Sequence, residues 1–390
     1  MKGLFRQKGA QLDINILASD EAQEFITTHA GILDGGFQKV EMSDKMRERL
    51  TRSNYIFSGI KTFHELNEAF PSMLDENGNK KPFERFLNDV QKINDTYNAN
   101  YLHAEYNFVQ ASATMAAKWE QFSEDGDRYY LQYRTAKDDK VRPEHAVLDG
   151  VTLPMSDYFW ETYYPPNGWN CRCTVVQVRK QKYPATEHSD AMSRGEEAMN
   201  GERYNIFRFN SGKQGKTMPD YNPYTIRRCN DCDVAKGKLK LGFVPDYQLC
   251  QGCIMIRKCS EDRNRDNSAK ATKKSPEVKK LQGTTISNPD FNHEVLVTGG
   301  SIREWTNQPH KEYAAKNSIL KHIAKVFRES NYIGVVDNFK QKPGVIQSHL
   351  FETTVLGDVS WIVIREYDDG RFILHSLSDG DRIKTGIRKE

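Results

Sequence analysis

Four cysteines set the first chemical expectation. Cys229 and Cys232 are separated by two residues, Cys250 and Cys253 by two more, and seventeen residues lie between the pairs. A Cys-x-x-Cys turn aims two thiolates at one point, and four thiolates saturate a tetrahedral zinc ion at about 2.3 Å. Four ligands leave no open position, so the Zn2+ expected here is structural and holds together a segment too short to bury a core. Cys259 falls outside that pattern as a spare thiol. A second set is Cys171-x-Cys173 with His145. Cysteines one residue apart do not readily bridge each other, and on an extended segment they share a face. They either form a second metal site with His145 or pack structurally, and the aromatics around them (Tyr158, Phe159, Trp160, Tyr163, Tyr164, Trp169) read as core.

A third set lies in the last hundred residues: Arg303, His310, His349, Glu352, Arg365 and Ser376. A base, an acid, cations and a hydroxyl suit metal-independent RNA cleavage, in which a 2′-OH attacks the adjacent phosphate and a cation stabilises the phosphorane. No catalytic cofactor is needed. His310 follows Asn307-Gln308-Pro309, which places it in a first helical turn. There free amides attract phosphate and the dipole favours a neutral imidazole; a surface histidine near a cap is the equal alternative. His310 or Glu352 would be the base, Arg365 and Arg303 would hold phosphate, and Ser376 would hydrogen-bond the reacting group. His349 falls near a strand end, and His375 reads as a core histidine.

These residues need elements to position them. At 390 residues the chain exceeds the size at which single cores stop growing, so two or three domains are expected. The net charge of +3 is too small to imply nucleic-acid binding by the whole chain. The opening MKGLFRQKGAQLD has no apolar signal region, and no run of about 18 apolar residues offers a membrane span. Seven cysteines, an odd number, argue against a disulfide framework. Residues 44–72 read as helical pieces around a break at Phe57-Ser58-Gly59. Glu84 to Phe122 is the longest helical pattern, with Phe86, Leu87, Val90, Ile93, Tyr97 and Tyr101 on one face. Tyr129–Thr135 and Thr174–Arg179 read as strands. Residues 257–280 carry nine Lys/Arg against four acids and read as an exposed linker. Beyond Leu281 a helix starting at Pro309 precedes three strands, Val345–Val355, Ser360–Tyr367 and Arg371–Leu377, joined by tight turns at Gly357-Asp358 and Asp369-Gly370. That register gives a polar sheet face with Glu352, Thr354, Trp361, Arg365 and Ser376, and an apolar face with Phe351, Ile362, Ile364, Ile373 and Leu377.

Asp138, Arg142, His145, Leu148-Asp149-Gly150, Phe159-Trp160, Pro165-Pro166 and Cys171-Arg172-Cys173 together resemble the core motif of the phage Mu F-like (MuF) minor head proteins. The resemblance spans about half the chain and implies head morphogenesis near the portal. The stretches GGSIREWTNQPHKEY, QSHLFET, SWIVIRE and LHSLSD resemble the phage-associated barnase–EndoU–colicin–RelE-like (BECR) nuclease families found at the C-termini of such proteins. The expected fold is multidomain α+β. A mostly helical MuF-like domain covers 1–195, a linker with the four-cysteine zinc-binding segment 196–260, a basic linker 261–280, and a helix-plus-antiparallel-sheet nuclease domain 281–390.

The resemblances imply a minor head protein carrying a toxin-like ribonuclease. Its partners would be portal and capsid proteins, an RNA substrate and an immunity protein, with no membrane. Its places would be the virion and the host cytoplasm. Two alternatives stand: a purely structural head-assembly protein whose C-terminal sheet binds a partner, and an ADP-ribosyltransferase.

Overall fold

A computed structural model of the chain describes residues 1–7, 12–228, 250–338, 341–355 and 357–388, and it divides into two compact units, 1–260 and 261–390. Among the described residues, no helix is long and apolar enough to cross a membrane.

The first unit is built on long helices. Helix α1 (Asp20–Gly35) begins at Ser19, whose hydroxyl accepts the Ala22 amide, with Asp20 and Glu21 in the first turn. Helix α2 (Asp44–Ala69) begins likewise, with Ser43 Oγ accepting the Met46 amide at 3.0 Å. Both caps satisfy amides that the helix leaves unpaired, and the acids oppose the positive end of the dipole. The break expected at Phe57-Ser58-Gly59 is absent, because α2 runs straight through it. Gly59 serves packing instead: a Cβ there would fall 2.5 Å from Ile256 Cγ2. The long apolar pattern becomes α3 (Phe83–Asp95), a π-helical turn (Thr96–Asn100) and α4 (Leu102–Asp125), which stops at Gly126 with φ +54°.

Strands β1 (Tyr130–Arg134), β2 (Thr152–Pro154) and β3 (Thr174–Val178) form an antiparallel sheet in the order β2-β1-β3. The signature aromatics fill the core beside it. Phe159, Trp160, Tyr163 and Tyr164 are buried, while Tyr158 points outward. Helix α5 (His188–Ala198) packs on this core through Gly195, where a Cβ would meet the Tyr163 ring at 2.4 Å.

The charge-rich stretch read as an exposed linker is helical: α6 (Gln251–Lys274) and α7 (Pro276–Leu281). Ala269, Thr272 and Val278 are buried. Most of the basic residues occupy outward positions of helices whose small buried side chains give too weak a periodic signal to read, whereas Arg257 is largely buried and pairs with Asp220 at 2.9 Å.

The second unit is a six-stranded mixed sheet, with β4 (Thr285–Asn288), β5 (Phe291–Leu296), β6 (Asn331–Asp337), β7 (Val345–Val355), β8 (Asp358–Tyr367) and β9 (Phe372–Ser378) in the order β4-β5-β9-β8-β7-β6. The three expected strands are present, but the sheet is no simple antiparallel meander: β5 pairs with β9 in parallel. Helices α8 (Gly299–Asn307), α9 (Tyr313–Ile319) and α10 (Ile323–Arg328) lie between β5 and β6 in the chain. Their Ile302, Trp305 and Phe327 share a core with Phe351, Ile362, Ile364 and Leu377 of the sheet.

The register differs in detail from the expected one. Val355 pairs with Asp358, and Leu350, not Glu352, faces Val363. A two-residue shift keeps every side chain on its expected face. At the other hairpin, Tyr367 N donates to Arg371 O, so the loop spans three residues and Arg365 faces Ile373 rather than Leu374. A bulge at His375 then restores the expected Val363–Ser376 pairing, and it puts Leu374 rather than Ile373 in the core. The polar face is not open. Ile383 and Ile387 of the C-terminal segment pack over Leu350 and Val363, and Arg388 exchanges backbone hydrogen bonds with Val335.

Candidate functional site

The most constrained cluster of chemistry-bearing groups among the described residues lies in the first unit. A short helix, Pro143–Ala146, has proline in its first turn and carries His145, 2% exposed. Its exit is fixed by Asp149 and Gly150. Asp149 Oδ1 accepts the Thr135 amide at 2.8 Å and the Thr135 hydroxyl at 3.1 Å. Gly150, at φ +83°, donates its N–H to Tyr133 O at 2.9 Å. These bonds clamp the helix against the end of β1.

The run 164–173 wraps around His145 from the other side. Tyr133 donates its hydroxyl to Asn167 Oδ1 at 2.8 Å, and Asn167 is fully buried. Gly168 sits where a Cβ would meet Arg142 Nη1 at 2.8 Å. Arg142 donates to Trp169 O at 2.5 Å, and Asn170 takes the left-handed φ of +56°. The chain then delivers Cys171 and Cys173 to one point: both Sγ atoms lie 3.7 Å from His145 Nδ1. Arg172 between them turns outward into a two-pronged pair with Asp138, at 2.6 and 2.7 Å. That guanidinium holds the Asp138 carboxyl at about 2. The hydrogen bond from Cys173, followed by the His145 contact, draws the Cys171 thiol well below the ordinary range. His145 Nε2 is buried and has no hydrogen-bond partner among the described residues. A cavity of about 410 Å³ opens beside the cluster, with Lys140, Arg142 and Arg172 in its wall.

Of the four cysteines expected to hold zinc, Cys229 and Cys232 lie outside the described residues. Cys250 and Cys253 lie at the start of α6, with Sγ atoms 3.6 Å apart. Two thiolates on one tetrahedral zinc are separated by about 3.8 Å, so this half has ligand spacing.

The six residues expected to act in the second unit are dispersed. Glu352 faces Trp361 and Arg365 faces Ser348. Four residues along β8 separate them, about 13 Å at strand rise. Ser376 is buried, and Arg303 is exposed on α8. His310 is not in a helix, because α9 starts at Tyr313. The ring is buried: Nδ1 accepts the Glu312 amide at 2.9 Å, so Nε2 carries the proton toward Ser360 Oγ at 3.1 Å. Burial lowers its pKa.

His349 is different. Its Nε2 contacts Glu366 Oε2 at 3.0 Å and its Nδ1 contacts the Tyr332 hydroxyl at 3.0 Å. Gln347 donates to the same carboxylate oxygen at 2.8 Å. Burial works against charge on Glu366, yet the hydrogen bonds from Gln347 and His349 bring its carboxyl below the ordinary value. Sequence reasoning missed Tyr332 and Glu366. The signal for Glu366 was period two, since it follows Ile362 and Ile364 on one face of β8. Tyr332 lies on a strand that was not expected.

The family model described as "Phage Mu protein F like protein" matches residues 76–176, which contain the whole His145–Cys171–Cys173 cluster. Residues 264–374 match "Large polyvalent protein-associated domain 3", a different domain from the nuclease families that the sequence resembles. The "Putative capsid assembly protein F" of Escherichia phage Mu is 31% identical over 177 residues, 44% of this chain and 38% of that protein. The "Mu-like prophage FluMu F protein" of Haemophilus influenzae is 32% identical over 198 residues, 49% of this chain and 42% of that protein. The chain thus spans about two fifths of the length of these curated relatives. No solved structure matches it. Residues 76–176 of this chain form a phage Mu F-like domain.

Proposed function

We propose that the protein is a head-assembly component of the phage or prophage that encodes it, docking through its first unit onto portal or capsid proteins and residing in the virion. The observation that carries this reading is the match to phage Mu protein F across the segment that builds the first unit's core. The motif residues there hold a fold together: Asp149 pins β1, Gly168 admits Arg142, and Arg172 pairs with Asp138. We include a structural zinc on Cys229, Cys232, Cys250 and Cys253 in this proposal, supported by the spacing of the described pair. Co-expression with the portal protein of the same phage is the test. Co-elution of the two as one complex on size exclusion supports docking, and separate elution from each candidate head protein refutes it.

A second reading concerns the C-terminal unit as a metal-independent ribonuclease. The Tyr332–His349–Glu366 chain favours it, because a carboxylate that orients an imidazole is the arrangement of a general base. Of the residues expected from sequence, His349 alone belongs to this chain of contacts, and it would act as the base through the Tyr332 hydroxyl at its Nδ1. Purified chain cutting a labelled RNA in EDTA, and a His349→Ala variant failing to, is the outcome this reading requires. Intact RNA with folded protein rules it out.

A further inference from the structure

We propose that His145, Cys171 and Cys173 bind one zinc ion of their own, distinct from any held by the four-cysteine segment, and that its fourth position opens into the adjoining cavity to take an exchangeable anionic oxygen ligand. Three observations lead there. The first is convergence. A ligand atom from each residue lies within 4.8 Å of the other two, although the residues come from two separate segments of chain. The second is distance. Zinc at about 2.3 Å from sulfur and 2.0–2.1 Å from nitrogen sets a nitrogen-to-sulfur edge of about 3.6 Å in a tetrahedron. Both measured edges from His145 Nδ1 are 3.7 Å.

The third is valence. A neutral imidazole nitrogen has one lone pair and can accept from one thiol at a time. Of the two equal contacts, that lone pair can therefore accept only one as a hydrogen bond. Three lone pairs converging on one cation account for both. A disulfide between Cys171 and Cys173 is not formed.

The fourth position follows from what surrounds the three ligands. Two thiolates neutralise the charge of Zn2+, so the ion alone would not select an anion. The 410 Å³ cavity beside it is walled by Lys140, Arg142 and Arg172, and these supply the positive field. Closed structural sites use four protein ligands, whereas three ligands with an open position permit exchange. A carboxylate or a phosphate oxygen entering this cavity would complete the tetrahedron.

The test uses the full chain. Each cysteine is labelled with N-ethylmaleimide and read by peptide mass, before and after chelation with 1,10-phenanthroline and after return of Zn2+. Cys171 and Cys173 are expected to resist labelling as purified, to become reactive together on chelation, and to regain protection with Zn2+. The Cys250 and Cys253 peptides report the other site separately. Labelling of Cys171 and Cys173 that is indifferent to chelator and to Zn2+ overturns the site, because burial alone would then explain their reactivity. A Cys250→Ser/Cys253→Ser variant loaded with Co2+ should show thiolate-to-metal absorption that disappears on adding His145→Ala. Its visible bands should shift on titration with sodium azide. Bands unmoved by azide overturn the open position, and absence of cobalt binding by the folded variant overturns the metal.

Discussion

Replacing Glu105 by Gln should destabilise the first unit more than any surface change could. Lys61 Nζ lies 2.6 Å from Glu105 Oε2, with side-chain exposures of 2% and 4%. The same lysine contacts His29 Nε2 at 3.1 Å, and the Tyr224 hydroxyl donates to the other Glu105 oxygen. Glu105→Gln keeps the volume but strands a buried ammonium. Breaking a buried pair by removing one partner costs about 3–5 kcal/mol. Deprotonating the lysine at pH 7 instead costs about 1.36 kcal/mol per unit from about 10.4, near 4.6 kcal/mol, so that route caps the loss at a similar figure. At roughly 2–4 °C per kcal/mol for a unit of this size, the melting transition should fall by about 6–20 °C. Differential scanning calorimetry of the full chain reads it. The loss should shrink at pH 9.5, where neutral Lys61 is easily formed, and Lys61→Met/Glu105→Leu should recover most of the stability. A Glu105→Gln melt within about 2 °C of wild type, or a double variant as unstable as the single, would refute the network's role.

Further outcomes follow from single contacts. Gly195→Ala drives a methyl into the Tyr163 ring and should cost about 1–3 kcal/mol in urea unfolding, with Ser193→Ala on the exposed face of α5 as the neutral control. Burial brings the Lys316 ammonium down to about 7. A depressed folded value means that the unfolded state binds the extra proton between about 7 and 10.5. Stability of the second unit from this group is therefore complete above 10.5 and lost as pH falls toward 7. Melts from pH 7 to 10 should show that rise in wild type and lack it in Lys316→Met. Asp149→Ala removes both bonds to Thr135, and hydrogen exchange at the Thr135 amide should speed up while amides of β7 and β8 stay protected.

Much of the first unit was legible because its signals are local. The apolar stripe of α3 and the alternating Tyr130–Arg134 run follow from short-range periodicity. Gly59 misled because a glycine needed for close helix packing looks, in sequence, like one that ends a helix. The basic stretch 257–280 misled for a related reason: Ala269 and Thr272 bury little area, so charge dominates the composition. In the second unit, the hairpin partners were readable from turn residues, but a three-residue loop moved Arg365 off its expected neighbour before one bulge restored the register. The parallel β5–β9 pairing and the tail over Leu350 and Val363 are long-range contacts that no local pattern announces. His310 looked reactive by type, whereas its two nitrogens are committed to Glu312 and Ser360. The His145 cluster was visible as residues but not as geometry, since only the wrap of 164–173 brings both sulfurs to one nitrogen.

The central claim is that this chain works in head assembly. Its most direct test is quantitative mass spectrometry of gradient-purified proheads and mature virions from the phage or prophage that encodes it. The account predicts the chain in both particles at a fixed ratio to the portal protein. Particles that form normally and contain none of it would contradict the account.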